Sequence, residues 1–487
     1  MASLKNITIL HSNDMHGDFM AKEVDSHLIG GVSMLSGYIN KVRQEEENVI
    51  YAIAGDMFRG SLIDSEFKGM STIEIVNLLA PDVVTLGNHE VDYGLSHLLF
   101  IEKCARFPII NANMYLTTNY TRLFRSHLIL DVDGMKILFI GVLTEEVLNQ
   151  TRQEKLIGSV VDIEEAASEV GKICNAYRTE DIDFTVLLTH IGFEADKKLA
   201  SLLDPVWGVD IIIGGHSHTL MQQPEVINGI PIVQAAVGTD QIGRFDITVD
   251  MDNNCIHDYS WKLIPITEQN CPRDPEMEDL ILHYKEQTDR KYNRILTRLP
   301  GVITHPARNQ ETEMGRFFAD AIRSCLSMDI ILLGSGSIRK TEMDPVLRYR
   351  DLVEIMPYDE PVYRLVLTGK QLRHMITFIL RDEAFKGTTE FYQFSKGMKI
   401  VYDRKQKKLV SLQYNGKEVE DDRHLRVGIQ RYHFCNLQEF LDVSLQEISL
   451  IHKPRVITTS TTDVLVEYLS LHEKMKVSRE QRLFIIE

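Results

Sequence analysis

Five short runs in the first half of the chain concentrate side chains that can hold divalent cations. They are Asp14-Met-His16, Gly55-Asp56, Gly87-Asn88-His89-Glu90-Val91-Asp92, Thr189-His190 and Gly214-Gly-His216-Ser-His218. Imidazoles mixed with carboxylates suit borderline ions such as Zn²⁺, Mn²⁺, Fe²⁺ or Co²⁺ better than Mg²⁺ or Ca²⁺ alone. No thiolate accompanies them, so a structural zinc finger is not indicated. The donors exceed what one ion needs, and a carboxylate can bridge two. Two ions about 3.5–4 Å apart form a clamp for in-line displacement at phosphorus. Taken singly, each run has a plainer explanation: Asp-x-His as a capping pair, Thr-His as a satisfied core histidine. Five in series, each placed where an apolar run ends, are not explained by capping.

At 487 residues the chain is too long for one core, and ~100–200 residues per domain suggests two large domains or three small ones; the elements that must position these runs are legible over the first ~265 residues. Short β-branched runs at Ile7–Leu10, Val49–Ala54, Val83–Leu86, Ile109–Ile110, Ile137–Val142, Phe184–Leu188, Ile211–Ile213 and Ile232–Val233 alternate with turns and helical stretches. Continuous apolar strands fit a sheet covered on both faces, hence an α/β layered domain. In such sheets the carboxyl ends of the strands meet at one edge, where ligands bind. Residues distant in sequence can therefore converge there.

Asp274-Pro275 offers an N-cap followed by proline at the first helical position. Apolar residues then recur at Ile281, Tyr284, Thr288, Tyr292, Ile295 and Leu299, which predicts a long linking helix within 271–300. Domains are thus expected at 1–270 and 301–487. The second opens with a helical stripe of Met314, Phe317, Phe318, Ala321, Ile322 and Cys325. Strands follow at Ile330–Leu333 and Tyr363–Leu367, with a final helix over Asp463–His472.

A composition of 44% hydrophobic and 25% charged residues supplies enough apolar side chains for sizeable cores. The net charge of -17 argues against a nucleic-acid polymer as partner, because phosphate backbones are held by basic surfaces. No apolar stretch approaches the ~18 residues of a membrane span, and Met-Ala-Ser-Leu-Lys-Asn runs into a strand without a signal-type segment. A cytoplasmic location, with no membrane partner, is the expectation. The six cysteines form no Cys-x-x-Cys pair and read as free thiols.

The ordered series Asp-x-His, Gly-Asp, Gly-Asn-His-Glu, His and Gly-His-x-His resembles the calcineurin-like metallophosphoesterases. Asn13-Asp14-Met-His16-Gly17, Gly87-Asn88-His89-Glu90-x-Asp92 and Gly214-Gly-His216-Ser-His218 narrow the resemblance to the 5′-nucleotidase family, and Ile227-Asn-Gly-Ile-Pro-Ile-Val-Gln-Ala235 resembles that family as well. Residues 300–487 are similar to that family's C-terminal nucleotidase domain. The resemblance implies an N-terminal four-layer α/β/β/α domain, a linking helix and a C-terminal α/β (α+β) domain. It further implies two divalent ions, one held by Asp14, His16, Asp56 and His218, the other by Asp56, Asn88, His190 and His216. Asp56 would bridge, and a hydroxide between the ions would attack phosphorus. His89 would stabilise charge developing on the phosphoryl or leaving-group oxygen while Asp92 orients its ring; the alternative is a purely structural role beside the ligands.

Substrate residues follow the family less closely. Its relatives carry Glu-Thr-Asn-Leu/Met-Gly-Asn where this chain has Glu311-Thr-Glu-Met-Gly-Arg316, and Asn-Gly-Gly-Gly-Ile-Arg where it has Gly334-Ser-Gly-Ser-Ile-Arg339. Arg339 survives as a phosphate anchor. Tyr358 and Tyr432 could wall a planar base or simply pack. Gln438 replaces an Asp that accepts ribose hydroxyls in relatives. The expected substrate is a small phosphorylated molecule, a 5′-nucleotide or related nucleotide. A 2′,3′-cyclic nucleotide, a nucleotide-sugar pyrophosphate or a sugar phosphate are alternatives, and a non-enzymatic nucleotide sensor is the reading outside enzymes. The complete ligand set counts against the sensor.

Overall fold

The computed structural model describes residues 3–116, 119–145, 157–160 and 162–486. It divides into two compact units, Met1–Thr288 and Asp289–Glu487. Against the expected breaks at 270 and 301, the division falls inside the helix Pro275–Tyr292.

Twelve strands of the first unit form two six-stranded sheets. In chain order the first six are β1 (Leu4–Ser12), β2 (Val49–Ala54), β3 (Val83–Thr85), β4 (Ile109–Ile110), β5 (His127–Val132) and β6 (Met135–Leu143). Then come β7 (Phe184–His190), β8 (Ile211–Ile213), β9 (Glu225–Ile227), β10 (Ile230–Val233), β11 (Gln241–Asp250) and β12 (Cys255–Pro265). One sheet runs β12-β11-β1-β2-β3-β4, the other β9-β10-β8-β7-β6-β5. Parallel pairing joins β1 to β4 through β2 and β3, and β6 through β7 and β8 to β10.

Alternation along each strand builds the layers. On β2, Ile50, Ala52 and Ala54 point into a core shared with Ile137, Phe139, Val186 and Ile213 of the other sheet. Tyr51 and Ile53 point the opposite way, against Leu35, Ile73, Val76 and Leu98 of the covering helices. The second sheet's outer face buries Leu138, Leu187 and Ile212 under Val170, Ile173 and Leu199. The order is helix, sheet, sheet, helix, the four layers expected. The β11–β12 hairpin was absent from the predicted strands, because β12 is part-exposed throughout and carries no continuous apolar run.

The linking helix is shorter than its apolar pattern suggests. It stops at Tyr292, and Ile295–Arg298 is a strand paired with Val346–Arg348. Ile295, expected on the buried stripe, is exposed, whereas Ile281, Tyr284, Thr288 and Tyr292 are buried. The run Ile295-Leu-Thr297 is β-prone, and pairing with a partner distant in sequence overrides the local helical period.

The second unit centres on a five-stranded sheet ordered Tyr392–Phe394, Ile330–Gly334, His424–Gln430, Val362–Thr368 and Arg455–Thr458. Along Ile330–Gly334, Ile330 and Leu332 enter one core while Ile331 and Leu333 enter another. The second core contains the Met314, Phe317, Phe318, Ala321 and Ile322 stripe of the helix Glu313–Leu326. The final helix spans Thr461–Ser470. All six cysteines are free. Among the described residues no helix is long and apolar enough to cross a membrane.

Asp274 ties the linking helix to the first unit. Its Oδ1 accepts the amides of Glu276 (3.1 Å) and Met277 (3.2 Å), and its Oδ2 accepts the Ser36 hydroxyl. Loss of such a cap costs about 1 kcal/mol. Asp274→Ala should lower the melting temperature by a few degrees without changing the specific activity of folded protein, measurable by calorimetry beside a phosphatase assay.

Candidate metal centre

All five motifs follow carboxyl ends of parallel strands. Asp14 and His16 follow β1, Asp56 follows β2, Asn88 and His89 follow β3, His190 ends β7, and His216 and His218 follow β8. The two sheets bring their strand ends to one rim.

The chain must turn sharply there, and five candidate ligands themselves adopt left-handed backbone: Asp14 (φ 51), His16 (47), Asp56 (52), His216 (80) and His218 (53). Each such non-glycine residue costs on the order of 1–3 kcal/mol and persists only where surrounding bonds hold it. Glycines clear the approach. A Cβ on Gly87 would lie 2.1 Å from Asp56 Oδ1, and one on Gly55, at φ 77, would lie 2.6 Å from His190 Nδ1.

The donor atoms cluster in two groups. In the first, His218 Nε2 lies 3.1 Å from His16 Nε2 and 3.3 Å from Asp14 Oδ1, with His16 Nε2 at 3.8 Å from the same oxygen. In the second, His190 Nε2 lies 3.1 Å from Asp56 Oδ2, and His216 Nδ1 lies 2.8 Å from Asn88 Oδ1. Ligand atoms about 2.0–2.2 Å from one ion stand about 3.0–3.6 Å apart, so most of these spacings are edges of a coordination shell. Asp14, His16 and His218 meet within 4.8 Å, as do Asp56, His190 and His216. His16, Asp56 and His89 do so as well, which puts His89 on the border of the centre.

Hydrogen bonds aim the imidazoles. His190 Nδ1–H donates to the Ala54 carbonyl at 2.8 Å, and His16 Nδ1–H to the Phe58 carbonyl at 3.1 Å. Each bond leaves an Nε2 lone pair facing the cluster. His190 Nε2 is buried and makes no hydrogen bond despite the nearby Asp56 oxygen, as expected of an atom aimed at a cation.

Asp56 is better placed than Asp14 to be shared. Asp14 Oδ1 comes within 3.8 Å of His190 Nε2 too, but both Asp14 oxygens accept the His216 amide. Asp56 gives only Oδ1 to a backbone amide, that of His89 at 2.9 Å. Its Oδ2 faces one imidazole of each group, His190 at 3.1 Å and His16 at 3.8 Å.

Burial grades from floor to rim: Asp14 and His190 are 0% exposed and Asp56 2%, whereas the His218 side chain is 43% exposed. Burial raises the Asp56 pKa, but the charge of His190, 3.1 Å away, outweighs it and brings it to about 2. Burial lowers that of His190, and Asp56 and Asp14 outweigh it and bring it to about 9. The floor therefore demands positive charge. A divalent cation supplies it on displacing the proton.

Several supporting residues carried no assigned role in the sequence reading. Glu90, 1% exposed, accepts the amides of Asp56 (3.0 Å), Met57 (2.7 Å) and Gly87 (2.5 Å), fixing the turn that presents Asp56. Its place inside Gly-Asn-His-Glu was the available signal. Buried Asp196 accepts from Thr189 Oγ1 (2.6 Å) and Gln234 Nε2 (3.3 Å), joining the His190 and His216 loops; no motif marks it. His89 Nδ1 lies 2.8 Å from Asp92 Oδ2, the dyad expected. That bond, against the opposing effect of burial, holds the His89 pKa above its ordinary value.

Substrate candidates of the second unit gather at one end of its sheet. The Arg339 guanidinium lies 5.5 Å from the Tyr358 ring centroid. Ser337 Oγ donates to Gln430 Oε1 at 2.8 Å, and the Tyr432 amide to Glu360 at 3.3 Å. Tyr358 and Tyr432 are both about half exposed. Tyr432 also packs at 5.4 Å on His433 and 5.5 Å on Phe440. The space left by the absent side chain at Gly334 is taken by His433, whose Nε2 lies 2.3 Å from where a Cβ would stand. His433 was not anticipated.

Comparison with known proteins agrees with this layout. A family model for calcineurin-like phosphoesterases matches residues 7–220, and one for the 5'-nucleotidase C-terminal domain matches residues 295–441. The chain belongs to the 5′-nucleotidase family. Members are metal-dependent hydrolases of phosphoesters. The chain is 28% identical over 418 residues to a trifunctional nucleotide phosphoesterase protein, YfkN, of Bacillus subtilis. That match takes in 77% of this chain but only 27% of the Bacillus protein's length. It is 26% identical to the snake venom 5'-nucleotidase of Naja atra, over 89% of each chain. The 5'-nucleotidase precursor of Thermus thermophilus shares the fold with a TM-score of 0.59 at 20% identity, over 99% of both chains.

Reconstituted wild-type protein should contain two divalent ions per chain by elemental analysis. Asp56→Asn should reduce that content and abolish hydrolysis of p-nitrophenyl phosphate. A stoichiometry of one in active protein would contradict a dinuclear centre.

Proposed function

We propose that this member of the family hydrolyses a phosphoester of a nucleotide, with a 5′-nucleotide as the leading substrate class. The carrying observation is the position of Asp56 Oδ2, facing one imidazole of each donor group. On this reading Asp14, His16, Asp56 and His218 hold one ion, and Asp56, Asn88, His190 and His216 the other. Two ions held there would supply Lewis acidity at the phosphoryl oxygens and lower the pKa of a nearby water. The choice among Zn²⁺, Mn²⁺, Fe²⁺ and Co²⁺ is left to reconstitution.

The chain's own contribution begins with orientation. Hydrogen bonds from His16 and His190 to backbone carbonyls hold both rings in one tautomer. His89 is 34% exposed at the rim, and its Nδ1–H donates to Asp92 Oδ2 at 2.8 Å. The opposite ring nitrogen is then available to a phosphoryl or leaving-group oxygen, where charge develops as the P–O bond breaks. In the second unit, Arg339 would bind an anionic group and Tyr358 and Tyr432 would stack on a planar base.

Nucleotide chemistry is supported by the nucleotide-cleaving activities after which the Bacillus and Naja relatives are named and by the Arg339–Tyr358 pairing. A second reading, a nucleotide-sugar or cyclic nucleotide, is favoured by one feature. His433 fills the space beside Gly334, and Gln438 stands in place of a ribose-reading acid, so relatives' sugar contacts are replaced. A panel of nucleoside monophosphates, cyclic nucleotides, nucleotide sugars and sugar phosphates, assayed with Mn²⁺ and Zn²⁺, separates these readings. Preference for simple sugar phosphates over all nucleotides would refute both.

Two variants test the assigned roles. His89→Asn should lower kcat by about 10²–10⁴ with both ions retained, the range for loss of acid or electrostatic help. Parallel loss of metal would make His89 a ligand instead. Arg339→Ala should raise KM for the best nucleotide at least tenfold while sparing p-nitrophenyl phosphate, which lacks a remote group to bind. Equal damage to both substrates would exclude that role.

A further inference from the structure

Arg59 follows Asp56 by three residues and was not among the sequence candidates. It adopts a left-handed backbone, φ 67, without being glycine. Its amide donates to Asp64 Oδ2 at 2.9 Å, and Tyr93 Oη donates to the same oxygen at 2.8 Å. Asp64 is 0% exposed, and its other oxygen accepts the Thr72 hydroxyl. One buried carboxylate therefore sets both the start of the arginine side chain and the ring on which it lies, since the guanidinium carbon is 4.9 Å from the Tyr93 centroid. Arg59 Nε then donates to Asp92 Oδ2 at 2.9 Å, the oxygen that also lies 2.8 Å from His89 Nδ1.

An exposed arginine–carboxylate pair contributes little when its long side chain has to be ordered for the purpose. Arg59 is 43% exposed, but it is held at its backbone, along its stacked face and at Nε, so little freedom remains to be lost. Asp92 in turn is 14% exposed and has two donors on one oxygen. That oxygen cannot swing from the imidazole without breaking the guanidinium bond.

We propose that Arg59 is a positioning residue for hydrolysis, clamping Asp92 so that the His89 imidazole stays turned toward the reacting phosphate. The inference rests on the assignment of His89 to that phosphate. Arg59 touches neither ion nor substrate on this account. It acts through Asp92, so its effect exists only while Asp92 can accept the His89 proton.

A double-mutant cycle tests this in the metal-reconstituted protein, with p-nitrophenyl phosphate as substrate and with metal content measured for every variant. Arg59→Ala should lower kcat about ten- to hundredfold, the usual effect of losing a partner that orients an active-site group. KM and two bound ions should be unchanged. Arg59→Ala combined with Asp92→Ala, whose methyl group accepts no hydrogen bond, should be no slower than Asp92→Ala alone, within about twofold. Added guanidinium ion should restore part of the rate to Arg59→Ala and none to the double variant. The hydrogen-bonded His89 Nδ1 proton, visible far downfield by NMR, should exchange faster in Arg59→Ala. Multiplying effects in the double variant, loss of metal from Arg59→Ala, or a native kcat for it would each overturn the inference. If His89→Asn itself kept the native rate, the underlying assignment of His89 would fall instead.

Discussion

Two carboxylates, those of Asp14 and Asp56, lie within 3.8 Å of the same two imidazoles, His16 and His190, where water hardly reaches. Buried charges of one sign are tolerated only when compensated. The arrangement around them supplies compensation at increasing distance: the His216 and His89 amides, the imidazole of His190, and the positive charge for which the remaining nitrogen atoms are arranged. Both sheets are needed, because Asp14 and Asp56 come from one and His190, His216 and His218 from the other. The four-layer architecture is the means by which two strand-end rims are pressed together over a shared dry core.

Rigidity at this rim costs conformational energy, and the surrounding bonds meet it locally. Five ligand positions in left-handed backbone would relax if their loops were free. Glu90 prevents this on one side by taking three amides of the Asp56 and Gly87 turns, and Asp196 with Gln234 does so on the other. Neither acid needs to meet a metal for the site to depend on it. Arg59, Asp64 and Tyr93 extend the same bracing outward to the dyad of Asp92 and His89 at the rim.

The second unit carries a different balance. Its three candidate segments are tied by Ser337 to Gln430, by Tyr432 to Glu360 and by Arg339 to Tyr358, so a charged and stacking surface is assembled whatever ligand it takes. Around Gly334, however, the space is filled by His433, whose Nδ1 bonds to Tyr392 Oη at 2.9 Å and whose burial pushes its pKa down to about 4. A neutral ring therefore occupies that point.

The sequence by itself determined the catalytic class. Donor types, their order and their placement after apolar runs are local properties, and strand ends in a parallel sheet converge by general rule, so Asp14, His16, Asp56, Asn88, His190, His216 and His218 could be named before any fold was seen. The Asp92–His89 dyad was legible because i,i+3 spacing makes the contact within one turn. Tertiary structure alone decided what depended on distant partners. The helix expected to pass Ile295 stops at Tyr292 because Ile295–Arg298 finds a strand at Val346–Arg348. Asp56 is better placed than Asp14 to be shared because the amide of His216, 202 residues away, lies against both Asp14 oxygens, whereas only Oδ1 of Asp56 accepts a backbone amide. The support of Asp196 by Gln234 and the filling of Gly334 by His433 likewise join positions with no common local pattern. Local spacing can specify which atoms are capable of a reaction, but which lone pair remains unspent is settled only when the far segments of the chain have packed.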